Sequence, residues 1–363
     1  MNKKLVVDLR MWNHSGIGRY LRNLIPKIYE KSEGISYIFL YESGHEKDLK
    51  QQFENAELIP CQSKIYSLSE QFELRKVLSK IEYDLLWIPH YNVPLFHHKK
   101  LLVTVHDLIH IHIYSVKKSW HKKLYANLLF KQISIKSKKI ITVSEYTKND
   151  LEINFPSCKN KIVSIHNGLS APIQSHEIEP KDVESYILYV GNIKPHKNLI
   201  SLVEAFKKYL LQTQYNLVIV GQSENLISAD EKLLSILKDN ALRQRIKFKG
   251  QVNDEKLAQL YKEAALFVSP SLFEGFGFPP LEAMSYDCPV VCSDRCSLPE
   301  VCKDAAYYVE ALSIDSIGKG VLEVLNNKEL RDDLVQKGKS LINKYQWEKT
   351  ADKTLDVIKE CLN

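Results

Sequence analysis

No stretch of this chain comes near the roughly 20 consecutive apolar residues that a membrane-crossing helix needs. The first eight residues, Met1 to Asp8, run straight into a short strand pattern and leave no apolar segment of signal-peptide length. Cysteine is sparse: seven residues, an odd number without paired spacing, which speaks against a disulfide framework and for a reduced, cytoplasmic setting. Four of them, Cys288, Cys292, Cys296 and Cys302, crowd into one stretch, but no C-x2-C pair occurs there, so buried thiols are expected rather than a zinc site. Internal repeats and low-complexity tracts are absent. So are acidic residues between Asp107 and Glu145, where eight lysines stand: Lys117, Lys118, Lys122, Lys123, Lys131, Lys136, Lys138 and Lys139.

That interval accounts for most of an uneven charge. Residues 1–173 carry a net +10 and the remainder −4. Trp120, Tyr125, Leu128, Leu129 and Phe130 lie among the lysines at helix-like spacing. A basic helix with an aromatic face can rest on anionic lipid; equally, its apolar face can pack inward and leave the lysines in water. The spacing alone leaves both open. No recognised nucleic-acid motif accompanies the charge, so no nucleic-acid partner is expected. Of the twelve histidines, His106, His110 and His112 are close enough to suggest metal ligands, but the latter two stand in a strand-like or loop run without an evident carboxylate, and no metal site is expected.

A chain of 363 residues exceeds what one core usually holds, and 44% hydrophobic with 26% charged residues is the balance of a soluble globular protein. Apolar β-rich runs recur at 5–9, 37–41, 85–89, 101–105, 140–143 and 162–165, and again at 187–190, 217–220, 246–248, 266–268 and 290–293. Helical patterns at 19–31, 198–211 and 254–262 fall between them. Alternation of this kind means α/β architecture with parallel sheets covered on both faces. A Pro/Ser/charge-rich segment at 171–185 reads as a linker between an N-terminal domain, 1–173, and a C-terminal domain, 185–345. The tail, 345–362, is one amphipathic helix.

The most specific string is Pro270-Ser271-Leu272-Phe273-Glu274-Gly275-Phe276-Gly277-Phe278-Pro279-Pro280-Leu281-Glu282. It follows an apolar strand pattern and leads into a helix expected to start near Pro280, with Glu282 in its first turn. A helix N-terminus behind a glycine loop favours an anion. Two carboxylates beside an anion site make sense when they bind hydroxyls of the same ligand, and a nucleotide-sugar carries a diphosphate, a ribose diol and a polyhydroxylated ring.

This string closely resembles the Glu-x7-Glu signature of retaining glycosyltransferases of family 4, in a mannosyltransferase-like branch. The resemblance covers nearly the whole chain. It implies the GT-B architecture: two Rossmann-like domains facing a central cleft, with the C-terminal helix, 346–363, packing back on the N-terminal, acceptor-side domain and the second domain binding the donor. It places Glu274 on the transferred sugar, Glu282 on the ribose, and the amides around Gly275, Phe276, Gly277 and Phe278 on sugar and phosphates. Gly16 and Gly18, in Ser15-Gly16-Ile17-Gly18-Arg19-Tyr20, match the family's N-terminal loop, although Leu21 stands where a third glycine would complete G-x-G-x-x-G and a plain βα turn explains the pattern as well. His106, at a strand's carboxyl end, matches a histidine on the transferred sugar. In Gly191-Asn192-Ile193-Lys194-Pro195-His196-Lys197, Lys197 matches the lysine that neutralises the diphosphate. Asn192 occupies a position where the family often has arginine, and His196 precedes the lysine.

The resemblance implies an enzyme that moves a hexose from a nucleotide-diphosphate sugar to a saccharide or lipid-linked saccharide acceptor, in surface polysaccharide or lipopolysaccharide biosynthesis. His106, Lys197 and Glu274 would be catalytic. GDP-mannose is the first choice of donor; a UDP- or dTDP-sugar is the alternative, as are an epimerase or a non-catalytic sugar-nucleotide binder. The donor half has no Asp-x-Asp after a strand, so neither metal nor cofactor is expected. Peripheral contact with the cytoplasmic face of an anionic membrane is expected through Lys117 to Lys139.

Overall fold

The structure is a computed structural model. It describes residues 2–14, 16–95, 97–112, 120–173, 185–221, 235–236 and 238–363. Ser15 of the first glycine loop, Lys117 and Lys118 of the basic segment, and most of the 171–185 linker lie outside the described residues.

The chain divides into two compact units, one of residues 1–168 with 346–363, the other of residues 169–345. Among the described residues of the first unit, seven strands form one parallel sheet in the order β3-β2-β1-β4-β5-β6-β7. They are β1 (Lys3–Asp8), β2 (Ile35–Glu42), β3 (Glu57–Cys61), β4 (Leu85–Ile88), β5 (Leu101–Val105), β6 (Lys139–Thr142) and β7 (Ile162–Ser164). The helices between them are α1 (Gly16–Lys31), α2 (Glu46–Gln52), α3 (Leu68–Leu78), the single turn α4 (Ile109–His112), α5 (Trp120–Lys136) and α6 (Glu145–Asn154). β4 and β5 are apolar and buried along their whole length, and β1 is so from Leu5 to Val7, which is how strands covered on both faces read. The C-terminal helix Trp347–Leu362 lies on this unit against α1, with Lys27 and Lys31 paired to Glu348 and Asp352. Beneath those exposed pairs, Trp347, Ala351, Leu355 and Ile358 are buried and supply the burial energy.

Among the described residues of the second unit, six strands form one parallel sheet in the order β10-β9-β8-β11-β12-β13. Its strands are β8 (Tyr186–Val190), β9 (Asn216–Val220), β10 (Ile246–Gly250), β11 (Leu266–Ser269), β12 (Val290–Ser293) and β13 (Tyr307–Val309). Its core joins Ile187, Leu217, Ile219, Leu266 and Val268 to Leu202, Val203 and Phe206 on one side helix and Ile317, Val321 and Val324 on another.

Three expectations need correction. The helix after the glycine loop spans Phe278–Ser285, so Glu282 is its fifth residue and falls beyond the first turn. Gly277, at φ +100°, turns the chain two residues earlier than the proline pair suggests, and its missing side chain leaves room for Leu298, whose Cδ2 would sit 2.6 Å from a Cβ there. Second, His110 and His112 lie in α4, and His112 does have a carboxylate, Asp150, at 2.9 Å. Third, the segment 198–211 is not one regular helix: Leu199–Ala205 is α-helical and Phe206–Leu210 continues as a π turn.

Candidate functional site

In the second unit, the loops that follow the neighbouring strands β8 and β11 are tied together. Asn198 adopts φ +58°, a region that asparagine tolerates better than most residues. Its buried amide donates to the carbonyls of Pro270, at 3.0 Å, and Ala311, at 2.7 Å. The Leu272 N–H donates to the His196 carbonyl at 2.7 Å. These bonds fix the short 3-10 turn Pro195–Lys197 against the start of the glycine loop. Lys197 Nζ consequently reaches Glu274 Oε1 at 2.6 Å, with 20% and 12% of the two side chains exposed. Ser271 Oγ donates to the same Glu274 oxygen at 2.7 Å. Behind the loop, Ser297 Oγ donates to the carbonyls of Glu274 and Phe276, both at 3.0 Å, and so holds the backbone of Gly275 in place.

Glu282 is buried within the helix Phe278–Ser285, and Tyr261 donates to its Oε2 at 3.1 Å. Tyr189, on β8, is buried with a hydroxyl that has no hydrogen-bond partner among the described residues. Burial, and after it the charge of Glu274, raises its phenol well above the ordinary value, so it stays a neutral donor beside the pair. Asn192 follows β8 directly, after Gly191. The sequence-predicted residues of this unit therefore sit at the carboxyl ends of adjacent strands, where ligands of open parallel sheets bind.

The predicted residues of the first unit also follow strands. Gly18 cannot carry a side chain: a Cβ would lie 2.4 Å from the Trp12 carbonyl oxygen, in the turn after β1. A Cβ on Gly16 would meet nothing within 4 Å, so this glycine leaves open space rather than relieving a clash. His106 follows β5. Its Nε2 lies 3.0 Å from the Pro89 carbonyl, which accepts only if that nitrogen carries the hydrogen, so Nδ1 remains as an acceptor. Burial pushes the imidazole down to about 4, outweighing the bond to Pro89, and the ring is neutral at pH 7. Tyr20 of α1 meets it edge-on at 4.9 Å.

A buried ionic network beside His106 has no contiguous sequence signature. Arg10 donates to both oxygens of Asp8, at 2.9 and 2.6 Å, and its Nη1 lies 2.8 Å from Glu70. Asn92 donates to Glu70, and His90 Nε2 lies 3.1 Å from Asp8. His90 Nδ1 accepts the Asn92 N–H, so Nε2 carries the hydrogen that Asp8 receives. Burial alone would raise the Asp8 carboxyl; Arg10 and His90 hold it well below the usual carboxylate range. The one signal available in the sequence is Ser67-x-x-Glu70, a helix-capping pattern at the start of α3.

The helix of the basic segment packs one face inward and leaves apolar side chains exposed on another. Ala126, Leu129, Phe130 and Ile133 face the core, while Leu124 and Leu128 are 61% and 44% exposed beside Lys122, Lys123 and Lys131. Of the clustered cysteines, Cys288, Cys292 and Cys302 are buried, and burial pushes the Cys292 thiol well up. Among the described residues no three His, Cys, Asp or Glu side chains converge as a metal-binding group, and no helix is long and apolar enough to cross a membrane.

Comparison with known proteins gives the same picture. Residues 14–171 match the family model "Glycosyltransferase Family 4" and residues 172–341 match "Glycosyl transferases group 1". The O-antigen chain mannosyltransferase B of Escherichia coli is 30% identical over 61% of this chain and 61% of its own length. The O-antigen chain mannosyltransferase RfbU of Salmonella typhimurium is 29% identical over 78% of this chain and 75% of its own. A sucrose-phosphate synthase from Thermosynechococcus elongatus, 17% identical, superposes with a TM-score of 0.81 over 99% of both chains. With two parallel α/β units, a Glu-x7-Glu loop and family models spanning nearly its whole length, the chain belongs to the family-4 glycosyltransferases of GT-B fold.

Proposed function

We propose that this protein is a retaining, metal-independent hexosyltransferase that moves mannose from GDP-mannose to a saccharide or lipid-linked saccharide acceptor of a surface polysaccharide. The observation that carries the reading is the Lys197–Glu274 pair at 2.6 Å, presented by two loops that follow adjacent strands and are bonded to each other. A cation and a carboxylate held side by side suit a donor that is anionic at its diphosphate and hydroxyl-rich at its sugar. Lys197 and the start of the helix Phe278–Ser285 would stabilise the charge that develops on the leaving diphosphate, usually the dominant contribution to catalysis of this kind. Glu274 would accept hydrogen bonds from the transferred sugar, and Glu282, oriented by Tyr261, from the ribose. His106, neutral with Nδ1 as acceptor, would receive a sugar hydroxyl. In front-face transfer the leaving phosphate takes the acceptor's proton, so no carboxylate nucleophile is needed. The names of both curated relatives support mannose. A UDP- or dTDP-hexose donor is the second reading, since Asn192 stands where the family often has arginine and the diphosphate contacts are thus not those of the family's common pattern.

Thermal unfolding with GDP-, UDP-, dTDP- and ADP-sugars, without metal, tests this. Stabilisation by one nucleotide family, lost in Glu282→Ala, is expected. No shift with any of them, in a protein whose transfer activity is also absent, would overturn it. Peripheral binding to an anionic membrane is part of the same proposal, supported by Leu124 and Leu128 standing exposed among lysines. Reversing Lys117, Lys118, Lys122 and Lys123 to Glu should abolish liposome binding and spare transfer to a soluble acceptor; unchanged liposome binding would remove the membrane from the reading.

A further inference from the structure

Asp8, Arg10, Glu70, His90 and Asn92 are nearly or wholly buried together near the carboxyl ends of β1 and β4. Replacing a buried ionic network by apolar residues is often neutral or stabilising, so what such a network does best is fix geometry. Here it fixes two aromatic rings. Glu70 Oε2 accepts the N–H of Tyr66 at 2.7 Å. Tyr91 stands in the chain between His90 and Asn92, both members of the network. Tyr66 is held at φ +68°, a region that side-chain-bearing residues avoid, and is 42% exposed. An exposed ring in a disfavoured conformation, anchored by a buried ion pair, is not explained by core packing.

The rings form a stack that runs from surface to core. Tyr66 lies on Tyr91 at 5.5 Å and 27°, and Tyr91 lies on the buried Phe130 at 5.0 Å and 20°. The His110 ring stands tilted beside them, 5.3 Å from Tyr91 and 6.5 Å from Tyr66. Tyr91 follows β4, and His110 and Asp107 follow β5, so the stack occupies the strand ends at which parallel sheets bind ligands. Its surroundings are acidic. The carboxylates of Asp107, Glu70 and Asp8 lie close enough to act on the Tyr66 phenol. The guanidinium of Arg10 is committed to Asp8 and Glu70. A phosphate is disfavoured in such a field; a neutral ligand with one apolar face and a polar rim is not. A hexopyranose is such a ligand: its C–H face lies on an aromatic ring, and its hydroxyls meet phenol, imidazole and carboxylate.

We propose that Tyr66, Tyr91 and His110 form the shelf that receives a sugar ring of the acceptor, with the Asp8–Arg10–Glu70 network positioning it. The shelf rests on the transferase reading only in naming that sugar as the acceptor's.

Saturation-transfer NMR on the full chain with methyl α-D-mannopyranoside and methyl α-D-glucopyranoside tests the contact without any donor. Wild type is expected to transfer saturation to the ring C–H protons of at least one glycoside. Tyr66→Gly, which relieves the backbone strain and so folds at least as well as Tyr66→Ala, should bind it at least about tenfold more weakly, a difference of about 1.4 kcal/mol. Tyr66→Phe should retain most of the binding. GDP and UDP affinities should be unchanged in both variants. Absence of transfer in wild type, wild-type glycoside binding in Tyr66→Gly, or a parallel loss of nucleotide affinity would each overturn the shelf. If no nucleotide sugar binds the wild type while Tyr66→Gly still loses the glycoside, the transferase reading falls and the shelf stands.

Discussion

The two units shelter their ion pairs to different degrees. In the second unit, Lys197 and Glu274 keep 20% and 12% of their side chains exposed and meet each other on loops. In the first, Asp8, Arg10 and Glu70 are sealed, with side chains 0–1% exposed. A partly exposed pair can exchange its partner for a ligand; a sealed one can only hold its neighbours in place. The same chemical types thus suit chemistry in one sheet and architecture in the other, and degree of burial separates the two roles.

Arg10→Leu should break this comparison most visibly. It strips the cation from two buried carboxylates, and removing one partner of a buried pair costs about 3–5 kcal/mol. Urea unfolding should show that loss at pH 7. The orphaned Asp8 and Glu70 would then prefer the protonated form, so the deficit relative to wild type should shrink as the pH falls toward 5. A midpoint within experimental error of wild type at pH 7 would mean that the network is not the brace inferred from its geometry.

Lys197→Ala should give the reverse pattern. Transfer should fall by about 10²–10³-fold, the usual cost of removing one preorganised stabiliser of transition-state charge. The unfolding midpoint should move far less than in Arg10→Leu, because the remaining Glu274 keeps the Ser271 hydroxyl and stands within reach of water. Steady-state kinetics alongside urea unfolding of the two variants would read both effects at once. A Lys197→Ala protein that transfers sugar normally would remove Lys197 from the machinery.

Legibility in the sequence follows the same divide. The candidate site of the second unit is readable because its residues are contiguous: one string from Pro270 to Glu282 and another from Gly191 to Lys197 carry the loop, both carboxylates and the lysine. The network of the first unit is not, because Asp8 and His90 are 82 positions apart and meet only through the pairing of β1 with β4. No local pattern marks such a meeting. Two strands, β3 and β13, also lack a readable pattern, and both are sheet edges. β3 is Glu-Leu-Ile-Pro-Cys, with a proline that only an edge tolerates well, and β13 has three residues, two of them only half-buried. β7 and β10, the other two edges, keep a short apolar run and are readable; β3 and β13 lack one. The helix start at Phe278 is misplaced by its sequence for a related reason: it depends on the positive φ of Gly277, and a glycine announces that freedom without saying whether it is used.

The smallest expected effect is one of pH, and it also separates the units. Burial pushes both His106 and His97, in the first unit, down to about 4, against 6.5 for an unperturbed imidazole. Between those values the unfolded chain binds protons that the folded chain refuses. Stability must therefore rise with pH across this window, and fall as a solution is acidified from pH 7 toward 5. Among the described residues of the second unit the only histidine is His196, half-buried on the turn beside Lys197, so the slope should come chiefly from the first unit. Urea unfolding of wild type and of His97→Gln/His106→Gln at pH 7 and pH 5 would measure it. The double variant should lose less stability on acidification than wild type, whatever its stability at pH 7. An equal loss in both proteins would assign the acid sensitivity to other groups, and would mean that these two imidazoles are less sheltered than their surroundings imply. It would also bear on His106 as a neutral acceptor, since that role needs a ring that does not take up a proton near pH 6.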